Sequence, residues 1–276
     1  MKSIVVGTDF SKGSYVALDI AVDIANKLDC GIRLVWVRKE KNLLDHEQLK
    51  MITRLAEQRL QELCEERRHL LKNPMEWEIL PGKVSEVMSK IARQVEAPMI
   101  VIGTNGASGF EKYWMGSTAG RIIQESTCPV LTIREGYDFH KTLERIIVPI
   151  RVHIDSRQKV APAVEMAKIF NSSIHIVGIS ASQQDDSDLK TYIKQIEKFL
   201  ANEHIPMTSE IRPYSNYADI VLDVAEKQHA DLIVINTEQD RFLAQLFLGT
   251  NAQQLVHRAQ IPVLCLHPKD IVTLAK

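Results

Sequence analysis

The sequence predicts an alternating α/β fold: two tandem domains, each a doubly wound parallel sheet of five strands. Short, continuous apolar and β-branched runs alternate with amphipathic helical patterns along the whole chain. The same order of landmarks then occurs a second time. The length of 276 residues suits two ordinary domains of roughly 100–200 residues, and 45% hydrophobic with 25% charged residues is a globular balance with enough apolar material for a core.

The repeat is read from five pairs of landmarks. Ile4-Val5-Val6-Gly7-Thr8-Asp9 reappears 142 positions later as Ile146-Ile147-Val148-Pro149-Ile150-Arg151, and Ile32–Val37 reappears at the same offset as Ile174–Ile179. Pro98–Gly103 matches Asp231–Asn236, Gly116-Ser117 matches Gly249-Thr250, and Cys128-Pro129-Val130-Leu131 matches Ile261-Pro262-Val263-Leu264, all at 133. One order with a single change of offset gives domains of 1–136 and 143–268, the second shorter in its middle. Gly136 to Thr142 is the short polar connection.

In the first domain the strands are expected at Ile4–Val6, Ile32–Val37, Trp77–Leu80, Ile100–Ile102 and Val130–Ile133. Continuous apolar runs of this kind suit parallel strands buried on both faces. Between them, Val16, Ile20, Ile24 and Leu28 recur every four residues beside Ala17, Ala21 and Ala25, with Ser11 or Ser14 as the cap. Asp45 to Lys72 carries Leu49, Ile52, Ala56, Leu60 and Leu63 on one stripe, a long helix with its other face in water. Val84, Val87, Met88 and Ile91 mark a third helix and Ile122-Ile123 a fourth. Right-handed crossovers close this order into a doubly wound sheet. The second domain follows the same plan, with a shorter second helix around Leu189 to Leu200.

Charge and cysteine content narrow the function classes. Lys plus Arg total 34 and Asp plus Glu 35, a formal charge of −1, so no broad electrostatic footprint for nucleic acid or an anionic membrane is expected. No apolar run approaches the ~20 residues that span a bilayer, and the opening Met-Lys-Ser does not read as a signal peptide. Cys30, Cys64, Cys128 and Cys265 are scattered and form no CxxC, which points to a reducing cytoplasm.

In open α/β sheets, ligands bind beyond the carboxyl ends of the strands where strand order reverses. After the first strand come Thr8 and Asp9. After the fourth comes Gly103-Thr104-Asn105-Gly106, then nine residues, then Gly116-Ser117-Thr118 opening a helix. Glycines let backbone approach a ligand closely. The N–H groups of a first helical turn attract phosphate, the Ser117 and Thr118 hydroxyls add donors, and Asp9 can accept from a ribose hydroxyl or an adenine amine. Taken singly, Gly103 and Gly106 also fit a tight turn, and Gly116 fits helix packing on the sheet. Three glycines, a Ser-Thr pair and Asp9 at one end of one sheet favour a nucleotide. The pattern is neither a GxxxxGK[ST] loop nor a dinucleotide fingerprint.

Gly103-x2-Gly106-x9-Gly116-Ser117, with Cys128-Pro129-Val130-Leu131 and the opening Val5–Ser11, resembles the ATP-binding signature of the universal stress protein family, in two tandem copies. The resemblance implies a Rossmann-like, adenine nucleotide alpha hydrolase-like fold that holds ATP, with Mg²⁺ as a candidate companion, and dimerises through its last strand. It implies that Thr8 and Asp9 face base and ribose, that Val37 and Ile102 flank the adenine, and that Gly103, Gly106, Gly116, Ser117 and Thr118 line the phosphates. Asn105, where such members often carry His, and Gly7, where Pro is common, depart from the pattern. Pairing of Val130–Ile133 with Val263–Leu266 is expected to give an intramolecular pseudo-dimer that hides two sheet edges, and a further homodimer is open.

The second domain departs more. Asn236-Thr237-Glu238-Gln239 replaces the Gly-x2-Gly element, Arg151 replaces Asp9, and only Gly249-Thr250 survives. Glu238 and Asp240 add negative charge, so this half is expected to bind ATP poorly or not at all. Recognition of a different acidic ligand by Arg151 and Gln239 is the weaker reading. None of the nine histidines forms HxxxH or a zinc-like spacing, and no GxSxG elbow occurs. No positioned base for water is evident, and Lys12 and Lys112 are cations near the loops by sequence alone, so binding is favoured over turnover, with slow hydrolysis at most. The expected function is a stress-response regulator that binds ATP in its first domain. The alternatives are a nucleotide-independent interaction module and a slow ATPase.

Overall fold

Continuous apolar runs require neighbours on both faces, and each half meets that demand with a parallel sheet between two layers of helices. The computed structural model describes residues 2–38, 46–104, 117–138, 142–152, 158–237 and 250–266, with backbone alone at 117 and 250. Among these, residues 2–138 form one compact unit and 142–266 a second.

The first unit runs β1 (Ser3–Gly7), α1 (Lys12–Leu28), β2 (Gly31–Arg38), α2 (His46–Arg67) with a 3₁₀ turn at Arg68–Leu70, β3 (Met75–Pro81), α3 (Val84–Gln94), β4 (Ile100–Thr104), α4 (Ser117–Glu125) and β5 (Val130–Arg134). Its strands are all parallel, in the order β3-β2-β1-β4-β5. The chain steps outward from β1 to β3 and returns to the other side of β1, so the order reverses between β1 and β4. The second unit runs β6 (Arg145–Ile150), α5 (Val160–Phe170), β7 (Ser173–Ser180), α6 (Gln183–Asn202), β8 (Met207–Pro213), α7 (Tyr217–Lys227), β9 (Leu232–Asn236), α8 (Thr250–Arg258) and β10 (Val263–Leu266). Its order, β8-β7-β6-β9-β10, is the same doubly wound plan. The predicted fold class is the observed one.

Ile4, Val5 and Val6 of the central strand are fully buried, as are Ile146, Ile147 and Val148. The outer strands β3 and β8 are half-covered, and both carry charge, Glu76 and Glu78 on β3 and Glu210 and Arg212 on β8. Arg33 of β2 pairs with Glu76 and Glu78 of β3, both at 2.5 Å. His175, its counterpart on β7, lies against Thr208 Oγ1 (2.7 Å) and Glu210 Oε1 (3.3 Å) of β8.

Two helices differ from the expected stripes. In α1 Ile20 and Ile24 are buried as expected, together with Ala17, Ala21, Ala25 and Leu18, whereas Val16 and Leu28 are half-buried. Small side chains let this helix come close to the sheet. In α2 only Ala56, Leu60 and Leu63 are buried; Leu49 is half-buried and Ile52 is exposed. Of the two candidate caps, Ser11 is the one used: its Oγ accepts from Ser14 N at 3.2 Å. Asp29, in the left-handed region at φ 51°, ends the helix by donating its N–H to Ala25 O.

Candidate functional site

The strand reversal of the first unit brings the ends of β1 and β4 side by side, Gly7 opposite Ile102. Paired residues of a parallel sheet share a face and successive residues alternate. Val35, Gly7 and Ile102 therefore share one face, with Val37 two residues further along it. A Cβ on Gly7 would meet Met88 of α3 at 3.1 Å and Ile102 at 3.4 Å, so this is the α3 face. Val37 and Ile102 thus lie on one face of the sheet, buried and apolar, on the two strands that flank β1.

Thr8 and Gly103 take the opposite face, under the first turn of α1. Thr8 is buried, and its N–H donates to Val35 O at 3.0 Å. Its Oγ1 accepts from Phe10 N and lies 3.1 Å from Ser14 Oγ. Because the Ser14 hydroxyl donates to Ser11 O at 2.9 Å, Thr8 is the donor to Ser14. The Thr8 side chain, which the resemblance directs at base and ribose, is thus engaged in holding the start of α1.

Asp9 is exposed. Its Oδ1 accepts from Ser11 N at 3.0 Å, an Asx turn that leads into the cap. Its second carboxylate oxygen has no partner among the described residues, so the acceptor chemistry expected of Asp9 is available. Phe10 sits in the left-handed region at φ 63°, a conformation that costs a non-glycine residue on the order of 1–2 kcal/mol. Its ring stacks on Trp36 at 6.0 Å between centroids and 28° between planes, which helps hold the strained turn.

Gly103 has a reason of its own to be glycine. A Cβ there would lie 2.4 Å from Gly13 C and 2.5 Å from Gly13 O and Ser14 N. Backbone of α1 fills the space that the absent side chain leaves. The bareness of Gly103 is a requirement of helix-on-strand packing and by itself marks no ligand. Thr118 is half-buried in the first turn of α4. Gly106, Gly116 and the Ser117 side chain lie outside the described residues, as do Asn105, Lys112, Tyr113 and Trp114.

Sequence reasoning missed Ser14 as a bonding partner, Gly13 as the seat of Gly103, and the Phe10–Trp36 stack. The run Gly13-Ser14 directly after Asp9-Phe10-Ser11-Lys12 is the signal that was available. The stack was not readable, because 26 residues separate its members.

The equivalent end of the second unit is built differently. The guanidinium of Arg151, at the place of Asp9, lies 4.6 Å from the Tyr217 ring centroid and 5.7 Å from that of Tyr214. Both distances are in the cation–π range. Asn236 stands for Gly103. Thr237 is buried, its N–H and Oγ1 both directed to Leu266 O at 2.9 and 3.2 Å. Gln239, Glu238, Asp240 and Gly249 lie outside the described residues. A cavity of about 370 Å³ opens beyond β7 and β8, lined by Ser180, Ser182, Asp186, Lys190, Ile211 and Tyr214 among others. One acid and one base on its wall give it no preference for an anion.

Among the described residues, no group of three or more His, Cys, Asp or Glu is placed to hold a metal ion, and no helix is long and apolar enough to cross a membrane.

Comparison with known proteins agrees with this architecture. A family model described as the Universal stress protein family matches residues 1–134 and again residues 142–267. The chain is 29% identical over 143 residues to a universal stress protein of Methanocaldococcus jannaschii, covering 49% of this chain and 82% of that one. It is 28% identical over 142 residues to a universal stress protein A homologue of Coxiella burnetii, covering 48% of this chain and 95% of that one. Its fold resembles the crystal structure of a universal stress protein from Archaeoglobus fulgidus, with a TM-score of 0.79, 19% identity, and coverage of 96% of this chain and 98% of that one. Two matches in tandem across most of the sequence make this chain a two-domain member of the universal stress protein family.

Proposed function

We propose that the first unit binds an adenine nucleotide, ATP with Mg²⁺, at the carboxyl ends of β1 and β4, and that the second unit is a structural partner without that capacity. The chain would then act as a regulatory binding protein of the stress response. The observation that carries this reading is the exposed Asp9 carboxylate, with one oxygen unengaged among the described residues, just after β1 at the strand reversal where Val37 and Ile102 of the flanking strands are buried and apolar. An acceptor next to an apolar face suits a base with its ribose. Bound there, ATP brings a polyanionic tail for backbone N–H groups, with Gly106, Gly116, Ser117 and Thr118 as the candidate cradle. Mg²⁺ would arrive on the phosphates, since no carboxylate cluster among the described residues is set to hold it.

Arg151 supports the asymmetry. A cation seated on two tyrosine rings occupies the place where the first unit offers its acceptor. The test is mass spectrometry of small molecules released from the protein purified without added nucleotide, followed by titration of the emptied protein with ATP. Retained adenine nucleotide, or saturable binding at millimolar ATP or below, is expected; neither being found would sink the reading. A second reading, an interaction module that needs no nucleotide, draws on Gly103, whose glycine is explained by packing alone. It predicts no affinity for ATP and undiminished partner binding in an Asp9→Ala variant.

A further inference from the structure

Six non-glycine residues among the described ones have positive φ. Five of them, Asp29, Glu96, Asn171, His204 and His229, are polar and lie at or just past the ends of helices, where each N–H turns back to a carbonyl of the helix. That is the ordinary use of this conformation. Phe10 is different. It is bulky and apolar, it precedes a helix, and it lies in the turn that carries Asp9. A bulky residue stays left-handed only where its surroundings impose it.

Those surroundings are specific. Val35 of β2 lies opposite Gly7, so Trp36 takes the same face as Thr8. The Phe10 ring stacks on Trp36, and the Phe10 N–H donates to Thr8 Oγ1 at 3.1 Å. Asp9 is thereby fixed from both sides. Thr8 is buried before it, Phe10 is pinned after it, and the Ser11 N–H donates to its Oδ1 at 3.0 Å.

The second unit supplies a control. At the offset of 142 that relates β1 to β6 and β2 to β7, Phe10 becomes Val152, Trp36 becomes Gly178 and Asp9 becomes Arg151. With glycine at that position β7 still pairs along its length with β6 and β8. The sheet therefore closes without the aromatic pair. The pair is present in the unit that keeps the carboxylate and absent from the unit that lacks it.

We propose that the Phe10–Trp36 stack is a clamp that positions the Asp9 carboxylate before a ligand arrives. The stack offsets the unfavourable backbone of Phe10. The carboxylate is then presented in one geometry instead of being ordered on binding, which raises affinity. This rests on the reading of Asp9 as an acceptor for an adenine nucleotide. Phe10 and Trp36 are positioning residues that act through Asp9.

The test uses the full chain and has two arms. The first needs no nucleotide: hydrogen exchange of the Ser11 amide, bonded to Asp9, is followed by NMR. Phe10→Gly enters the left-handed region freely but has no ring, and it is expected to speed this exchange about tenfold or more. Phe10→Tyr keeps the stack and is expected to leave it unchanged. The second arm is calorimetric titration with ATP and Mg²⁺. Phe10→Gly and Trp36→Leu are expected to weaken binding about three- to tenfold, and Phe10→Tyr and Trp36→Phe to bind as wild type does. In an Asp9→Ala background, Phe10→Gly is expected to have no further effect on affinity, which a general loss of structure would not spare. Unchanged Ser11 exchange in Phe10→Gly, or an affinity loss that is the same with and without Asp9, would overturn the clamp. Equal ATP affinity in wild type and Phe10→Gly would overturn it and leave the nucleotide reading standing. No ATP binding by wild type would overturn the nucleotide reading and the clamp's role in affinity together.

Discussion

The turn after β1 and the turn after β6 descend from one plan and do different chemistry. After β1, Thr8, Ser11 and Ser14 tie the start of α1 to the strand through hydroxyls, while Asp9 keeps a carboxylate oxygen outside that network. After β6, Arg151 lies over Tyr214 and Tyr217, and the described part of α5 begins only at Val160. The buried strands are interchangeable between the units, Ile4-Val5-Val6 for Ile146-Ile147-Val148. A sheet needs only apolar volume from its central strands, so they stay alike. The loops at its carboxyl end carry no such demand and are where the two halves part.

The comparison breaks most visibly at Gly103 and Asn236. Gly103→Ala places a Cβ against α1 backbone that no rotamer can relieve, and it is expected to destabilise the first unit by about 3 kcal/mol or more in urea unfolding. Asn236→Gly, the reverse exchange, is expected to cost about 1 kcal/mol or less in the second unit. Equal effects at the two positions would show that α1 does not sit on β4 as described.

The next effect concerns ligand. Asp9→Arg, which gives the first unit the residue of the second, is expected to weaken ATP binding at least about thirtyfold, read by calorimetry. Arg151→Asp is expected to leave the affinity of the first unit unchanged.

Helix capping is smaller. Ser11→Ala removes the acceptor for Ser14 N and is expected to lower stability by about 1 kcal/mol, as is Ser182→Ala, which removes the acceptor for Asp185 N at the start of α6. A pronounced difference between the two would mean that the Thr8 hydroxyl network adds to the cap in one unit alone.

The smallest effect distinguishes Arg33 from His175. Burial holds the His175 imidazole below its ordinary pKa of about 6.5, more than Glu210 raises it. In the window just below 6.5 the unfolded chain binds more protons at this residue than the folded one. Stability from His175 is therefore present at neutral pH and declines as pH falls through that window. His175→Gln is expected to flatten the pH dependence of the second unit between pH 5 and 7, measured by thermal unfolding, and Arg33→His to introduce one in the first.

Much of this was legible in the sequence, and what was not has physical causes. Continuous runs such as Ile4-Val5-Val6 leave little alternative to buried parallel strands, and the tandem offsets fixed the doubling. The inner face of α1 was read in part: Ile20 and Ile24 are buried beside Ala17, Ala21 and Ala25, but Val16 and Leu28 at the ends of the stripe are only half-covered, and the close approach of Gly13 to Gly103 of β4 left no mark in the periodicity. The stripe of α2 was extended too far, since periodicity cannot tell the residues that cover the sheet, Ala56, Leu60 and Leu63, from Ile52, which faces outward. At the site, Asp9 was readable from its position after a strand. The role of Gly103 was not, because it depends on where another element lands, and the stacking of Arg151 on Tyr217 joins residues 66 apart.

Calorimetric titration of the full chain with ATP and Mg²⁺ tests the functional asymmetry most directly. The account predicts one site per chain, weakened at least about thirtyfold by Asp9→Arg and indifferent to Arg151→Asp. Two sites per chain, or a single site that survives Asp9→Arg and disappears when Arg151 is changed, would contradict it.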